Sequence, residues 1–212
     1  MRKDVTICVG TIGSGIWRSP DGGETWTRVR PSRYPENDVR ALAVHPRAPH
    51  IVYAGTDSGV YRSEDRGTRW ERLDAPMNAM HTWALAIDPA EPETLFAGTQ
   101  PSAVFRSRDG GQRWAKLALE LAAECPAVVI PRVTALVVDP EDHRTIWVGI
   151  EVDGCVGAWM AGRPGRPAPV GWATRTSTAS RSGGASPRRF SPPRRAKSSP
   201  APTRARAGSD WR

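Results

Sequence analysis

Hydrophobic positions along the chain gather in short runs broken by Gly, Pro, Asp and Ser, the pattern of brief strands joined by tight turns. Val5–Thr11, Ile16–Ser19 and Thr25–Val29 predict three strands. A polar connector, Pro31–Asn37, leads to four more at Val39–Val44, Ile51–Thr56, Val60–Ser63 and Arg69–Leu73. The same order returns at Thr82–Ile87, Leu95–Thr99, Val104–Ser107 and Arg113–Leu117, and Val133–Val138 with Ile146–Ile150 opens a fourth unit. Ala-Leu-Ala-Val-His-Pro (41–46), Ala-Leu-Ala-Ile-Asp-Pro (84–89) and Ala-Leu-Val-Val-Asp-Pro (135–140) are one strand with one exit turn. Its near-continuous apolar character predicts an inner strand covered on both faces. Tyr53-Ala-Gly-Thr56, Phe96-Ala-Gly-Thr99 and Trp147-Val-Gly-Ile150 are the strand after it. Four short strands every 43–45 residues predict the blades of an all-β propeller.

A second repeat marks the turn between the third and fourth strands. Ser19-Pro-Asp21-Gly-Gly23-Glu-Thr-Trp26 returns as Ser63-Glu-Asp65-Arg-Gly67-Thr-Arg-Trp70 and Ser107-Arg-Asp109-Gly-Gly111-Gln-Arg-Trp114, with the aspartates 44 residues apart each time. In such a turn the carboxylate folds back onto backbone N–H groups, the Gly supplies a positive φ and the Ser hydroxyl adds a hydrogen bond. The Trp is expected to bury its ring between blades. Three evenly spaced aspartates also invite a catalytic or Ca²⁺-binding reading. One repeated turn needs one repeated carboxylate, so all twelve of these residues are read as structural staples. The pattern Ser-x-Asp-x-Gly-x-x-Trp is the Asp-box, and residues 4 to 154 resemble the BNR/Asp-box repeat propellers, which include sialidase-like and photosystem II assembly-factor-like proteins. The resemblance implies that the boxes lie away from the ligand face. About three and a half blades are legible and the first lacks its inner strand. Either a strand from the far end of the chain completes it or part of the propeller is missing.

Composition changes the picture mainly at the C-terminal end. The net charge of +8 divides into −3 over residues 1–154 and +11 over residues 155–212. The second segment, rich in Arg, Pro, Ser, Ala and Gly, reads as a disordered basic tail. An alternative follows from the genetic code: read from each codon's third base, Trp159-Met160-Ala161 must encode Asp-Gly. In that frame, codons for Gly157–Gly165 and Pro200–Gly208 permit two further boxes, their aspartates 43 residues apart. The tail is therefore expected to be an out-of-frame reading of further blades, lost from frame near residue 154. As a genuine tail it could neutralise phosphates, but it has few aromatics and no nucleic-acid-binding motif, which argues against nucleic acid.

No run is long and apolar enough for a transmembrane helix, and the first residues lack a cleavable leader pattern. Cys8, Cys125 and Cys155 are widely spaced and without ligand companions, which with the missing leader predicts a cytoplasmic setting. The histidines show no metal-ligand spacing, so neither metal nor cofactor is expected. Propellers bind ligands where first-strand entries and second-to-third-strand loops converge, and the polar residues that could point there are Arg40, Asp57, His81, Arg132, Glu151 and Asp153. Sialidases of the resembling family use three arginines and a Tyr/Glu pair with an Asp acid. Arg40 and Arg132 alone do not make that triad, and no catalytic residue is assigned. The expected function is a non-enzymatic binding or assembly scaffold with a protein or carbohydrate on the propeller face. The alternative is a sialidase-like glycoside hydrolase; other glycosidases with such propellers, xyloglucanases among them, require two carboxylates at defined separations.

Overall fold

The computed structural model describes residues 5–29, 38–119, 121, 124 and 129–151, and the backbone of 156–160. They lie in the first of two compact units, Met1–Arg175. The second, Thr176–Arg212, and most of the basic segment lie outside the described residues.

Every described element is a strand, and the strands form four antiparallel sheets that follow the chain in order. The first holds β1 (Ile7–Thr11), β2 (Gly15–Ser19) and β3 (Thr27–Val29). The second holds β4 (Val39–Val44), β5 (Val52–Thr56), β6 (Gly59–Ser63) and β7 (Glu71–Arg72). β8 (His81–Ile87), β9 (Leu95–Gln100), β10 (Val104–Ser107) and β11 (Ala115–Lys116) make the third. β12 (Val133–Val138), β13 (Thr145–Ile150) and β14 (Val156–Met160) make the fourth, whose backbone runs past residue 154. The first strands of successive sheets lie side by side, β4 against β8 and β8 against β12, as the inner strands of propeller blades do. Among the described residues no helix is long and apolar enough to cross a membrane.

The outermost strands β7 and β11 are shorter than the hydrophobic pattern predicts. Their expected first amides are already engaged: Arg69 N donates to Asp65 Oδ1 at 2.8 Å and Arg113 N to Asp109 Oδ1 at 2.8 Å. The turn carboxylate therefore delays the start of the outer strand. The most buried strand is also not the one expected. β5 is buried along its whole length, whereas β4 is half-buried and Val44 is 57% exposed. The second strand has a paired neighbour on each edge and a blade on each face. The first is an edge strand, with a hydrogen-bonded neighbour on one side only.

Core clusters lie between sheets, which is how a stack of blades shares its apolar surface. Tyr53, Val60 and Met77 meet Leu95, Ala97 and Phe105 between the second and third sheets. Phe96 and Val104 meet Val133, Leu136 and Ile146 between the third and fourth. The close approach depends on glycines. A Cβ on Gly10 would stand 2.8 Å from Val39 Cγ1, and one on Gly55 would stand 2.8 Å from Thr82 Cγ2.

The exit turns of the first strands use one device with two chemistries. Asp88 Oδ1 accepts from Ala90 N (2.8 Å) and Glu91 N (3.2 Å), and Asp139 Oδ1 from Glu141 N (2.9 Å) and Asp142 N (3.1 Å). In the second sheet buried His45 does the same through Nδ1, accepting from Arg47 N at 3.2 Å and Ala48 N at 2.9 Å.

Candidate binding face

Two ends of each blade carry polar residues, and the boxes occupy one of them. Asp21 Oδ1 accepts from Thr25 N (2.9 Å) and Ser19 Oγ (2.7 Å), and Thr25 Oγ1 donates to Asp21 Oδ2 at 2.6 Å. Asp65 Oδ1 accepts from Thr68 N, Arg69 N and Ser63 Oγ, and Asp109 Oδ1 from Arg113 N and Ser107 Oγ. The buried serines in turn accept from Gly23 N, Gly67 N and Gly111 N at 2.7–2.9 Å.

These bonds hold all three carboxyls below the usual range. The Thr25 hydroxyl and amide are the largest cause at Asp21, and the Arg113 amide at Asp109. At Asp65 burial opposes the shift and is outweighed by the Arg69, Ser63 and Thr68 donors together. The tryptophans are less enclosed than expected. Trp26 is 42% exposed, Trp70 and Trp114 are half-buried, and each indole N–H donates to the Gly carbonyl of its own turn, Gly23, Gly67 or Gly111, at 2.9–3.0 Å. The ring closes the turn from which it emerges.

The other end is built on a repeated irregularity. In the second sheet Val39 pairs with Thr56 and Ala41 with Gly55, which leaves Arg40 as an extra residue. Trp83 is the extra residue between Thr82 and Ala84, and Thr134 between Val133 and Ala135. A bulge bends the strand and re-aims its side chain. Three bulges at one register thus turn Arg40, Trp83 and Thr134 at the entry of three successive blades.

Trp83 is the centre of the resulting site. The guanidinium carbons of Arg40 and Arg132 each lie 3.9 Å from its ring centroid. Both guanidiniums are thus in cation–π contact with the one indole. Each is also held in the plane by a carboxylate: Arg40 Nη2 lies 2.5 Å from Asp38 Oδ2, and Arg132 Nη2 donates to Glu151 Oε1 at 2.6 Å. Trp83 Nε1 donates to Gln100 Oε1 at 3.2 Å, and Gln100 Nε2 reaches Ile130 O at 3.1 Å. Asp38 Oδ1 accepts from Gly13 N at 2.7 Å, which ties in the first sheet. All four sheets contribute to this network.

Of the residues expected to face a ligand, Arg40, Arg132 and Glu151 come together. Asp57 lies beside them through its amide, which donates to Asp38 O at 3.2 Å, and its Oδ1 is shielded from solvent and accepts no hydrogen bond among the described residues. His81 is exposed at the start of β8 opposite Gln100, and Asp153 lies outside the described residues. Sequence reasoning missed Trp83 and Asp38. The signal for Trp83 was its alignment with Arg40 at the position before each Ala-Leu pair. No group of His, Cys, Asp and Glu among the described residues could hold a metal ion. Chemically, the site offers two guanidiniums on a half-buried aromatic ring, each already paired with a carboxylate, and one shielded carboxylate oxygen, Asp57 Oδ1.

Comparison with known proteins bears on the fold. No curated protein matches the sequence. An ancestral GH74 enzyme superposes with a TM-score of 0.60 at 18% identity, covering 74% of this chain and 21% of its own. YCF48 bound to D1 peptide superposes with a TM-score of 0.54 at 16% identity, over 76% of this chain and 49% of its own. The extracellular domain of a one component system from B. thetaiotaomicron gives 0.58 at 14%, over 79% and 21%. This chain therefore spans between about a fifth and a half of those structures, and the likeness establishes the β-propeller fold. The Sortilin-Vps10 family model, described as sortilin, neurotensin receptor 3, matches residues 14–128, more than half of the chain. The chain belongs to the Sortilin-Vps10 family.

Proposed function

We propose that the chain is an Asp-box propeller of the BNR type that acts as a non-enzymatic protein-binding scaffold, anchoring an extended acidic segment of its partner on the Arg40–Trp83–Arg132 stack. The stack carries the reading. Arg and Trp dominate the energetics of protein interfaces, and here their rotamers are fixed before any partner arrives, which lowers the entropic cost of binding. An incoming carboxylate can exchange with Asp38 or Glu151 for the guanidinium forks in bidentate geometry. The related structure of YCF48 with D1 peptide supports a peptide as the kind of ligand such a propeller takes.

Selection of displayed random peptides on the full chain tests this. Acidic sequences are expected to enrich, and Arg40→Ala, Arg132→Ala and Trp83→Ala are each expected to weaken the selected peptide at least roughly tenfold. Enrichment of basic peptides, or binding indifferent to all three changes, would sink the reading.

Asp57 favours a second reading, a glycoside hydrolase with a carbohydrate on the same face. Its Oδ1 is unpartnered among the described residues, and Asp38 and Glu151 lie at the same end of the blades. A fluorogenic glycoside panel decides between them. Turnover abolished by Asp57→Asn but kept in Asp21→Asn, Asp65→Asn and Asp109→Asn would replace the scaffold reading.

A further inference from the structure

A cleft of about 380 Å³ opens between the first and second sheets, lined by Thr6, Cys8, Leu42, Val44, Pro49, Val52 and Arg66. Its place in the repeat explains why it exists. Cys8 pairs with Arg18, as Tyr53 pairs with Arg62 and Phe96 with Arg106. The thiol therefore stands where the next two blades carry aromatic rings.

The cleft walls follow the same correspondence. The core cluster that holds Tyr53 also takes in Ile51, Leu85, Ile87 and Leu95, the counterparts of Thr6, Leu42, Val44 and Val52. Tyr53 and Phe96 are each 1% exposed, so both rings fill their inter-blade spaces. Tyr53 Oη also donates to Gly110 O in the following box at 3.1 Å. The counterpart of Gly110 is Arg66, a non-glycine residue at φ 58° where the other boxes place Gly22 and Gly110. Its carbonyl accepts from Arg18 Nε at 2.8 Å and lies 4.0 Å from Cys8 Sγ, a long and weak thiol contact.

We infer that this cleft is a binding site for a small phenol, whose ring takes the position Tyr53 occupies one blade later and whose hydroxyl donates to the Arg66 carbonyl in place of the Cys8 thiol. The apolar walls supply the burial. A carbonyl has two lone pairs, so the Arg18 bond is kept. The site is independent of the entry-face stack and lies at the box side of the blades. Burial pushes the Cys8 thiol up, in keeping with an apolar surround, while Arg18 opposes that shift.

The probe is 4-methylphenol, the tyrosine side chain itself, on the full chain with Cys125→Ser and Cys155→Ser so that Cys8 is the one thiol. Millimolar ligand, about ten times its dissociation constant, is expected to raise Tm by about 3 °C. It should also slow alkylation of Cys8 by iodoacetamide several-fold. Toluene, which lacks the hydroxyl, should bind roughly fivefold more weakly. Cys8→Tyr should supply the ring covalently, raise Tm and abolish the response to ligand.

The proposal is overturned if 4-methylphenol neither raises Tm nor protects the thiol, or if toluene does as well. A folded Cys8→Tyr protein that still responds would overturn it too. Should Cys8→Tyr fail to fold, thiol protection in the Cys8 protein decides the matter without it.

Discussion

Arg40, in the second sheet, and Arg132, at the entry of the fourth, both lie 3.9 Å from the ring of one residue, Trp83 in the third. The stack therefore does two things at once: it sets two ion-paired, largely buried guanidiniums at the blade entries and cross-links three blades. A cation–π contact contributes roughly 0.5–1 kcal/mol at exposed sites. Trp83→Leu should cost about 1–2 kcal/mol in denaturant unfolding. The change should be less than additive with Arg40→Gln, because the two residues share one contact. Full additivity would show that the stack carries no coupling between blades.

A buried hydroxyl serves both sides of each box. Ser107 Oγ donates to Asp109 Oδ1 and accepts from Gly111 N, both at 2.9 Å, and the residue is 1% exposed. Ser107→Ala leaves a buried amide without its acceptor and is expected to cost about 1–3 kcal/mol, read from the midpoint of a urea transition. A change within error would mean that water replaces the hydroxyl.

Acid should unfold the propeller through these turns. Asp21, Asp65 and Asp109 all titrate below the ordinary carboxylate range when folded. Unfolded, they return to about 3.9. The stabilisation is thus fully present above about pH 4 and is lost as the pH falls through the lowered folded values. Tm measured from pH 6 down to 2 should drop steeply below about pH 4. The triple variant Asp21→Asn, Asp65→Asn, Asp109→Asn should start lower and show a shallower acid slope.

Neighbouring blades should make equivalent glycines unequal. A Cβ on Gly98 would stand 2.8 Å from Val133 Cβ in the next sheet, whereas one on Gly149 meets Ala135 Cβ of its own sheet at 3.1 Å. Gly98→Ala is expected to destabilise by about 1–3 kcal/mol, and Gly149→Ala by clearly less. Equal losses would show that the cost is intrinsic to the strand rather than to blade contact.

The reading frame of the basic segment is open to a direct check. Ser63 follows Thr56 by seven residues and Ser107 follows Thr99 by eight, and both threonines pair with the residue before a bulge, as Ile150 does. Gly157, the position where the shifted frame permits a box serine, follows Ile150 by seven. Resequencing the coding DNA across and beyond codon 154 is expected to find the shifted frame open and continuing with boxes. Stops in that frame would make the basic segment genuine.

The boxes were legible because a positive-φ turn with an Asx-type acceptor tolerates few residues, so the backbone requirement is written in side-chain identity. Blade order was legible for the same reason. Trp83 was not, because a single aromatic in an apolar run looks like core, and a bulge has no local signature. Only the alignment of Arg40, Trp83 and Thr134 exposes it, and only coordinates show that Arg132 arrives from the following entry. The Cys8 cleft was hidden differently: a missing ring leaves no motif, and the position matters only beside Tyr53, Phe96 and Trp147. The stretch expected to be most enclosed, Ala41–Val44, turned out less so than the strand after it, since apolar content does not tell a paired edge from an open one.

The bulges divide the labour of the repeat. Because each inserts its residue outside the ladder register, positions 40, 83 and 134 can change identity without altering which neighbours pair. Each blade thus carries one interchangeable character on an otherwise invariant type block, here Arg, Trp and Thr. Rewriting those three characters gives a family of recognition surfaces on one unchanged scaffold.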